Sequence, residues 1–210
     1  MSAWWALLAS YLLGSVSGSL LLGKLRGVDI RTLGSGNAGG TNALRTQGAW
    51  FALGTVVIDI GKGALAAWLG QYAGHTIEWS CACVLAAVVG HVWPLFHGFR
   101  GGKGAATLVG GLAMAWPQSL PLVLAVWFGT LGWTGYVGLA TVLAACSLLV
   151  SAAWLGATSG LWVFAAIAAA LLVFTHRGNL RRLRTGTEPA FERARVLRRA
   201  WQRVRGERKE

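Results

Sequence analysis

The chain has 210 residues, 55% of them apolar (AVILMFWYC), with a mean hydropathy of +0.54 and only 12% charged. That charged share is about half the ~25% of a soluble domain, and it is lopsided: 19 Lys and Arg against 7 Asp and Glu, a net charge of +12. Such apolarity excludes a disordered or collagen-like chain. Basicity set in so apolar a sequence argues against a soluble nucleic-acid binder, and an integral membrane protein with its positive charge gathered on one side fits both facts.

The first apolar run, 3–22, is twenty residues without a charge. It has no basic n-region, is longer than a secretory h-region and precedes no small-residue cleavage site, so it reads as a retained first helix. A polar cluster follows: Leu33-Gly34-Ser35-Gly36-Asn37-Ala38-Gly39-Gly40-Thr41-Asn42-Ala43-Leu44-Arg45. Its glycines let the backbone turn and approach a ligand closely. Ser35, Asn37, Thr41 and Asn42 are neutral donors, and Arg45 brings a planar fork for phosphate oxygens. Exposed N–H groups in such a turn, ahead of a helix start, form an anion nest. A flexible loop is the plain alternative, but it leaves the many donors, the one Arg and the missing acid unexplained.

The second run, 50–70, carries Asp59 and Lys62 at i, i+3, a spacing that lets them pair toward a bundle interior. They read equally well as a functional site or as a structural ion pair. The third run, 79–96, leads into a second cluster, Gly90-His91-Val92-Trp93-Pro94-Leu95-Phe96-His97-Gly98-Phe99-Arg100-Gly101-Gly102-Lys103-Gly104-Ala105-Ala106-Thr107. It is not a P-loop: His97 stands where the first glycine belongs, and Gly104 stands where a Ser or Thr would hold magnesium. The physics is similar, because a glycine turn opens a helix at about 104 with Lys103 at its positive end. His91 and His97 read as structural or interfacial, since no carboxylate or Cys pairs with them nearby in sequence. Runs at 104–115, 117–133, 136–155 and 159–175 follow, the first of them short and ended by Pro117. Cys81, Cys83 and Cys146 lie inside apolar runs and read as small apolar residues, with no disulfide framework and no metal site.

A third cluster closes the last run: Thr175-His176-Arg177-Gly178-Asn179-Leu180-Arg181-Arg182-Leu183, then Gly186-Thr187-Glu188. His176 and Asn179 are three apart and share a helix face. A titratable His beside a neutral amide suits binding or proton handling at a polar ligand, although a His at a span end is also commonly interfacial. Beyond 176 the composition changes to 12 basic and 4 acidic residues in 34. Phe191, Ala194, Leu197, Trp201 and Val204 recur at helical spacing, which predicts a basic amphipathic helix on anionic lipid, with no nucleic acid as partner. The sequence therefore divides at 1–176, a transmembrane domain, and 177–210, a basic cytoplasmic tail.

Seven spans make an all-α, polytopic helical bundle with its termini on opposite sides. Every Lys and Arg except Lys62 then falls on one side. The loops 71–78, 116–118 and 156–158 on the other side hold none, and Glu78 is their one acid. By the positive-inside rule the basic side is the cytoplasm, so the N-terminus lies outside and the C-terminus inside. Trp4, Trp5, Trp50, Trp68, Trp79, Trp93, Trp116, Trp133 and Trp154 fall near span ends, as an interfacial belt requires. No second copy of the glycine-rich loops appears in an inverted half, which weighs against an inverted-repeat transporter.

Taken together, SGNAGGTNALR, the second cluster (GHxWPxFxxFRGGKGAAT) and the third resemble the bacterial acyl-phosphate:glycerol-3-phosphate acyltransferase family, known as PlsY, over the whole chain. In the third cluster the family pattern looks like HRxNIxRLxxGTE, often with Glu at the first x; this chain has Gly178. Where the family tends to read YVSLxS, this chain reads Tyr136-Val137-Gly138-Leu139-Ala140-Thr141. The resemblance implies transfer of a fatty acyl group from acyl phosphate to the 1-hydroxyl of glycerol 3-phosphate. The products would be 1-acylglycerol 3-phosphate (lysophosphatidic acid) and phosphate, the first step of phospholipid synthesis, made at the bacterial cytoplasmic (inner) membrane with no cofactor. On that footing Ser35, Asn37, Gly40, Thr41, Asn42, Gly102 and Gly104 bind the acyl-phosphate head. Arg45, His176 and Asn179 hold glycerol 3-phosphate with Thr141 nearby, and Lys103 bridges both. The proton acceptor is the departing phosphate or His176. No His here has Asp five residues on, so the His-x4-Asp chemistry of the other glycerol-phosphate acyltransferases is absent. A membrane transporter for a phosphorylated metabolite would use the same anion loops and is the alternative.

Overall fold

The computed structural model describes residues 3–204, and every regular element among them is helical. The chain forms two compact units, Met1–Leu120 with Ser159–Phe164, and Pro121–Thr158 with Ala165–Glu210.

The first unit holds α1 (Trp4–Gly14), α2 (Gly18–Leu25), α3 (Gly40–Gln47), α4 (Ala49–Gly74), α5 (Ile77–Val92) and α6 (Ala105–Ala115). Small residues bring its helices together. A Cβ added at Gly14 would strike the Ala87 backbone and one at Gly90 the Tyr11 carbonyl, so α1 and α5 touch main chain to main chain. Gly63 and Gly110 do the same for α4 and α6. This is how membrane helices gain dispersion contact when lipid offers no hydrophobic drive between them.

The apolar run 3–22, expected as one helix, is instead broken at residues 15–17, with α1 and α2 bent by 46°. The freed backbone groups find buried charged partners. Lys62 Nζ donates to the Val16 carbonyl at 2.8 Å, and the Gly18 N–H donates to Asp59 Oδ1 at 3.1 Å. An ammonium thus caps a helix C-terminus and a carboxylate a helix N-terminus, each on the side the dipole favours. Asp59 and Lys62, 2.9 Å apart, are both buried.

The second unit holds α7 (Leu120–Thr134), α8 (Val137–Trp154), the later part of α9 (Ser159–Thr175), α10 (Arg177–Arg184) and α11 (Val196–Val204). α10 packs on α8. The tail differs from its expected single helix. Residues 192–194 form a 3-10 turn, and α11 begins only at Val196. The Phe191 N–H donates to the Gly135 carbonyl (2.7 Å) and Arg195 Nε to that of Thr134 (2.9 Å), so tertiary hydrogen bonds take the backbone that periodicity assigned to a helix. Val196, Leu197 and Trp201 all remain exposed, with Leu197 lying beside Gly132. Val204 is described only in its backbone, and 205–210 lie outside the described residues.

Ala49–Gly74, Ile77–His97 and Val137–Trp154 are long and apolar enough to cross a membrane, and up to six spans result if each broken pair (α1/α2, α6/α7, α9/α10) counts as one. The seven-span expectation took 104–115 and 117–133 as separate crossings. α6 has 11 residues, about 16 Å at 1.5 Å per residue, against roughly 30 Å of hydrocarbon. The protein is an all-α integral membrane protein with three to six candidate spans. Trp116, expected at the interface, is buried, with its N–H closing α6 on the Leu112 carbonyl.

Candidate active site

In the first unit, α2 ends in a left-handed turn at Gly27 (φ 66°), where the Val28 N–H reaches back to the Gly23 carbonyl at 2.9 Å. A 3-10 turn, Ile30–Thr32, follows, its Asp29 cap accepting from the Arg31 N–H. Arg31 fastens the two glycine-rich loops together. Its guanidinium meets Asp29 at 2.8 Å and donates to the His97 carbonyl (2.8 Å) and the Arg100 carbonyl (3.2 Å). The hydrogen bond from Arg31 holds the Asp29 carboxyl below the usual carboxylate range.

The first cluster then turns through Gly34 and Gly36, both left-handed, into α3. Asn42 is buried and its amide is spent inside the loop. Oδ1 accepts from the Ser35 N–H (2.9 Å), and Nδ2 donates to the carbonyls of Ile30 (3.1 Å) and Leu33 (3.0 Å). Asn42 therefore shapes the loop. α3 starts after Gly39 with no side-chain cap from that residue, so the N–H groups of its first turn, Gly40 and Thr41 among them, form the positive end of the helix. Thr41 and Arg45 lie four apart on one face of α3, and Ser35, Asn37 and Arg45 are all at least partly exposed.

The second cluster follows α5. Gly98 and, unusually for a non-glycine, Phe99 adopt positive φ. The Gly101 and Gly102 N–H groups then donate to the carbonyls of Val92 (3.2 Å) and His91 (3.1 Å). Gly104, at φ 88°, caps α6 without a side-chain bond, so α6 starts at Ala105 and the half-buried Lys103 stands just ahead of its N-cap. His91, expected as structural or interfacial, is buried in the interior, and its Nδ1 lies 2.8 Å from Lys62 Nζ.

In the second unit His176 is buried at the start of α10 with Nδ1 on the Leu172 carbonyl at 2.8 Å. A carbonyl only accepts, so Nδ1 carries a proton, and in the neutral ring Nε2 is the accepting nitrogen. Asn179 Nδ2 donates to Glu188 Oε1 at 2.6 Å, and Arg182 Nε donates to Glu188 Oε2 at 2.7 Å. Thr141 Oγ1 accepts from Trp127 Nε1 (3.2 Å) and donates to the Val137 carbonyl (2.9 Å). Gly138 lies against Asn179, where any Cβ would come within 2.6 Å of the Asn179 Cβ. Sequence reasoning missed Glu188, Arg31 and His91. For Glu188 the signal was present, as the one acid of its cluster.

These positions, Glu188 excepted, fall within a match to a family model described as glycerol-3-phosphate acyltransferase, which spans residues 4–186. The chain belongs to the glycerol-3-phosphate acyltransferase family. The glycerol-3-phosphate acyltransferase of Geotalea daltonii is 42% identical over 187 residues, covering 89% of this chain and 96% of that one. The protein of the same name from Aquifex aeolicus is 35% identical over 192 residues, covering 91% and 100%. Among solved structures, PlsY (YgiH), described as an integral membrane glycerol 3-phosphate acyltransferase, matches in its glycerol 3-phosphate form with a TM-score of 0.85 and 34% identity, over 90% of this chain and 95% of that one. Its lysophosphatidic acid form matches with the same score over 93% and 98%. Family membership makes the chain a membrane acyltransferase of phospholipid synthesis and sets the transporter reading aside.

Proposed function

We propose that the protein moves a fatty acyl group from acyl phosphate to the 1-hydroxyl of glycerol 3-phosphate, releasing lysophosphatidic acid and inorganic phosphate. The observation that carries this is the family match across 4–186, which takes in the first two polar clusters and the third as far as Gly186. The donor is a mixed anhydride and already activated, so no covalent nucleophile is required. The glycerol oxygen attacks the acyl carbon, the bond from that carbon to the phosphate oxygen breaks, and the hydroxyl proton leaves on the departing phosphate. Catalysis then consists of holding two anions together and offsetting their repulsion.

In this reading Ser35, Asn37, Gly40, Thr41 and Gly104 bind the acyl-phosphate head, and Asn42 and Gly102, whose donors are spent inside the loops, serve by shaping them. Lys103 stabilises charge on both phosphates. Arg45 takes the glycerol 3-phosphate anion, with His176, Asn179 and Thr141 assigned to the same substrate from the sequence. The Nε2 acceptor edge of His176 makes it the rival proton acceptor. Purified protein given acyl phosphate and glycerol 3-phosphate should release phosphate in step with lysophosphatidic acid. Phosphate release that does not depend on glycerol 3-phosphate would overturn the assignment.

The finer topology belongs to the same proposal: seven crossings in the bacterial cytoplasmic membrane, the short α6 starting inside a polar cavity rather than at the lipid surface, N-terminus outside, and 177–210 a cytoplasmic tail on anionic lipid. The segregation of Lys and Arg supports it. Reporters fused at residues 75 and 205 should lie on opposite sides, and finding both on one side removes the odd count.

A further inference from the structure

The buried Asp59–Lys62 pair does more than cap the break between α1 and α2. Lys62 Nζ has three partners: Asp59 Oδ1 at 2.9 Å, the Val16 carbonyl at 2.8 Å and His91 Nδ1 at 2.8 Å. An ammonium has three N–H donors and no acceptor. All three are used, and His91 Nδ1 must accept. The Asp59 carboxylate stands farther from that nitrogen, at 3.4 Å, than from the ammonium. The imidazole is therefore neutral, with its single proton on Nε2.

That Nε2 edge lies at the anion loops. The place a side chain at Gly102 would occupy is taken by His91 Nε2, with the Ala38 carbonyl oxygen 2.7 Å from the same point. Ala38 leads directly into Gly39 and the start of α3, and Gly102 leads into Lys103. The backbone of His91 joins in, its carbonyl accepting the Gly102 N–H at 3.1 Å. One buried ring thus stands between a membrane-embedded ion pair and the junction of both glycine-rich loops.

We infer that His91 is a positioning residue for the anion cradle: Lys62 fixes its tautomer, and the resulting Nε2–H edge seats Gly102 against Ala38 and so sets the Lys103 turn for the acyl phosphate. This rests on the acyltransferase reading above. It also gives the charges of α4 a part in substrate binding, which a purely structural ion pair would not have.

The first test is read on the wild-type ring. In full-length protein with ¹⁵N-labelled histidine near neutral pH, the His91 ring, identified by its loss in His91→Asn, should show a protonated Nε2 and a bare Nδ1. A proton on Nδ1, or on both nitrogens, overturns the proposal. The second test is kinetic. His91→Asn keeps an acceptor near Lys62 and removes the Nε2–H edge, so it should fold with a near-normal melting temperature while KM for acyl phosphate rises roughly tenfold or more, KM for glycerol 3-phosphate moving less. An unchanged KM, with only the folded fraction reduced, overturns it. Should His91→Asn fail to fold, Lys62→Met replaces it. Its ring proton should move to Nδ1, toward Asp59, with the same rise in KM, and a normal KM there overturns the proposal. Wild-type protein inert toward acyl phosphate would sink the reaction instead. Inorganic phosphate then serves as the probe, and equal binding by wild type and His91→Asn would overturn the positioning role.

Discussion

Around the starts of α3 and α6 the donors are mostly first-turn main-chain N–H groups, and the side chains Asn42, Arg31 and His91 stand behind the loops that lead into them as braces. Around α10 the arrangement is reversed. Side chains offer the chemistry, and other side chains hold them: Glu188 holds Asn179 and Arg182, and Trp127 holds Thr141. A backbone-built region is damaged by added atoms and by loss of the few charges set into it. A side-chain-built region is damaged by removed partners.

The largest effect expected from this contrast is at Lys103, the cation set into the backbone-built loop. Lys103→Ala removes a charged donor and should lower kcat by about a hundredfold, roughly 3 kcal/mol. Lys103→Arg should fail as well, because the planar fork is larger and aims differently. Steady-state phosphate release measures both, and a fully active Arg variant would reduce Lys103 to a mere marker of the cytoplasmic side. Next comes Glu188 in the side-chain-built region. Glu188→Ala strands the Asn179 amide and the Arg182 guanidinium. At roughly 2 kcal/mol for hydrogen bonds to a charged group, kcat/KM should drop about thirtyfold, with Glu188→Gln losing less. Equal activity in Glu188→Ala would mean that Asn179 needs no brace.

Glycines sharpen the contrast within one helix pair. Gly138→Ala drives a methyl group into Asn179 and should destabilise the protein by about 1–3 kcal/mol, read as a lower melting temperature. Gly178→Ala meets only Arg182 Nη1, at 3.6 Å, and should leave stability unchanged or raise it by up to about 1 kcal/mol. Similar losses at both positions would contradict the packing of α10 on α8. The smallest effect belongs to Asp29. Its carboxyl is held low in the folded state by Arg31, so the pair contributes above the ordinary carboxylate range and is lost as pH falls through the lowered value. Asp29 is largely solvent-exposed, and the contribution should stay below about 1 kcal/mol. In Asp29→Asn the melting temperature should be slightly lower at neutral pH and fall less on acidification below about pH 4.

The clusters themselves were legible because glycines, a lone cation and a following helix start are local signals. Ser35 to Arg45 and Gly101 to Gly104 adopt the turn-then-helix form that their composition requires. What sequence could not supply was tertiary. Residues 3–22 read as an unbroken helix because hydropathy does not register that Lys62 and Asp59, more than forty positions away, stand ready to take Val16 and Gly18. The amide of Asn42 looked like a ligand group until the three backbone partners converging on it were seen. His91 has no acid near it in sequence, yet Asp59 and Lys62 lie beside it in space. Trp116 lies at the end of an apolar run, where position alone points to the interface, yet it is buried.

Asp59 and Lys62 ride on the same helix, one turn apart. α4 therefore enters the bilayer as an electrically neutral segment, whereas either charge alone would add roughly 2.5–3.5 kcal/mol to the work of insertion. Replacing either one leaves both a lone charge in the interior and an open end in the first hydrophobic segment. They also impose an order on biogenesis: the kink between α1 and α2 acquires its partners only once α4 has arrived, so the segment synthesised first is completed by the one that follows it.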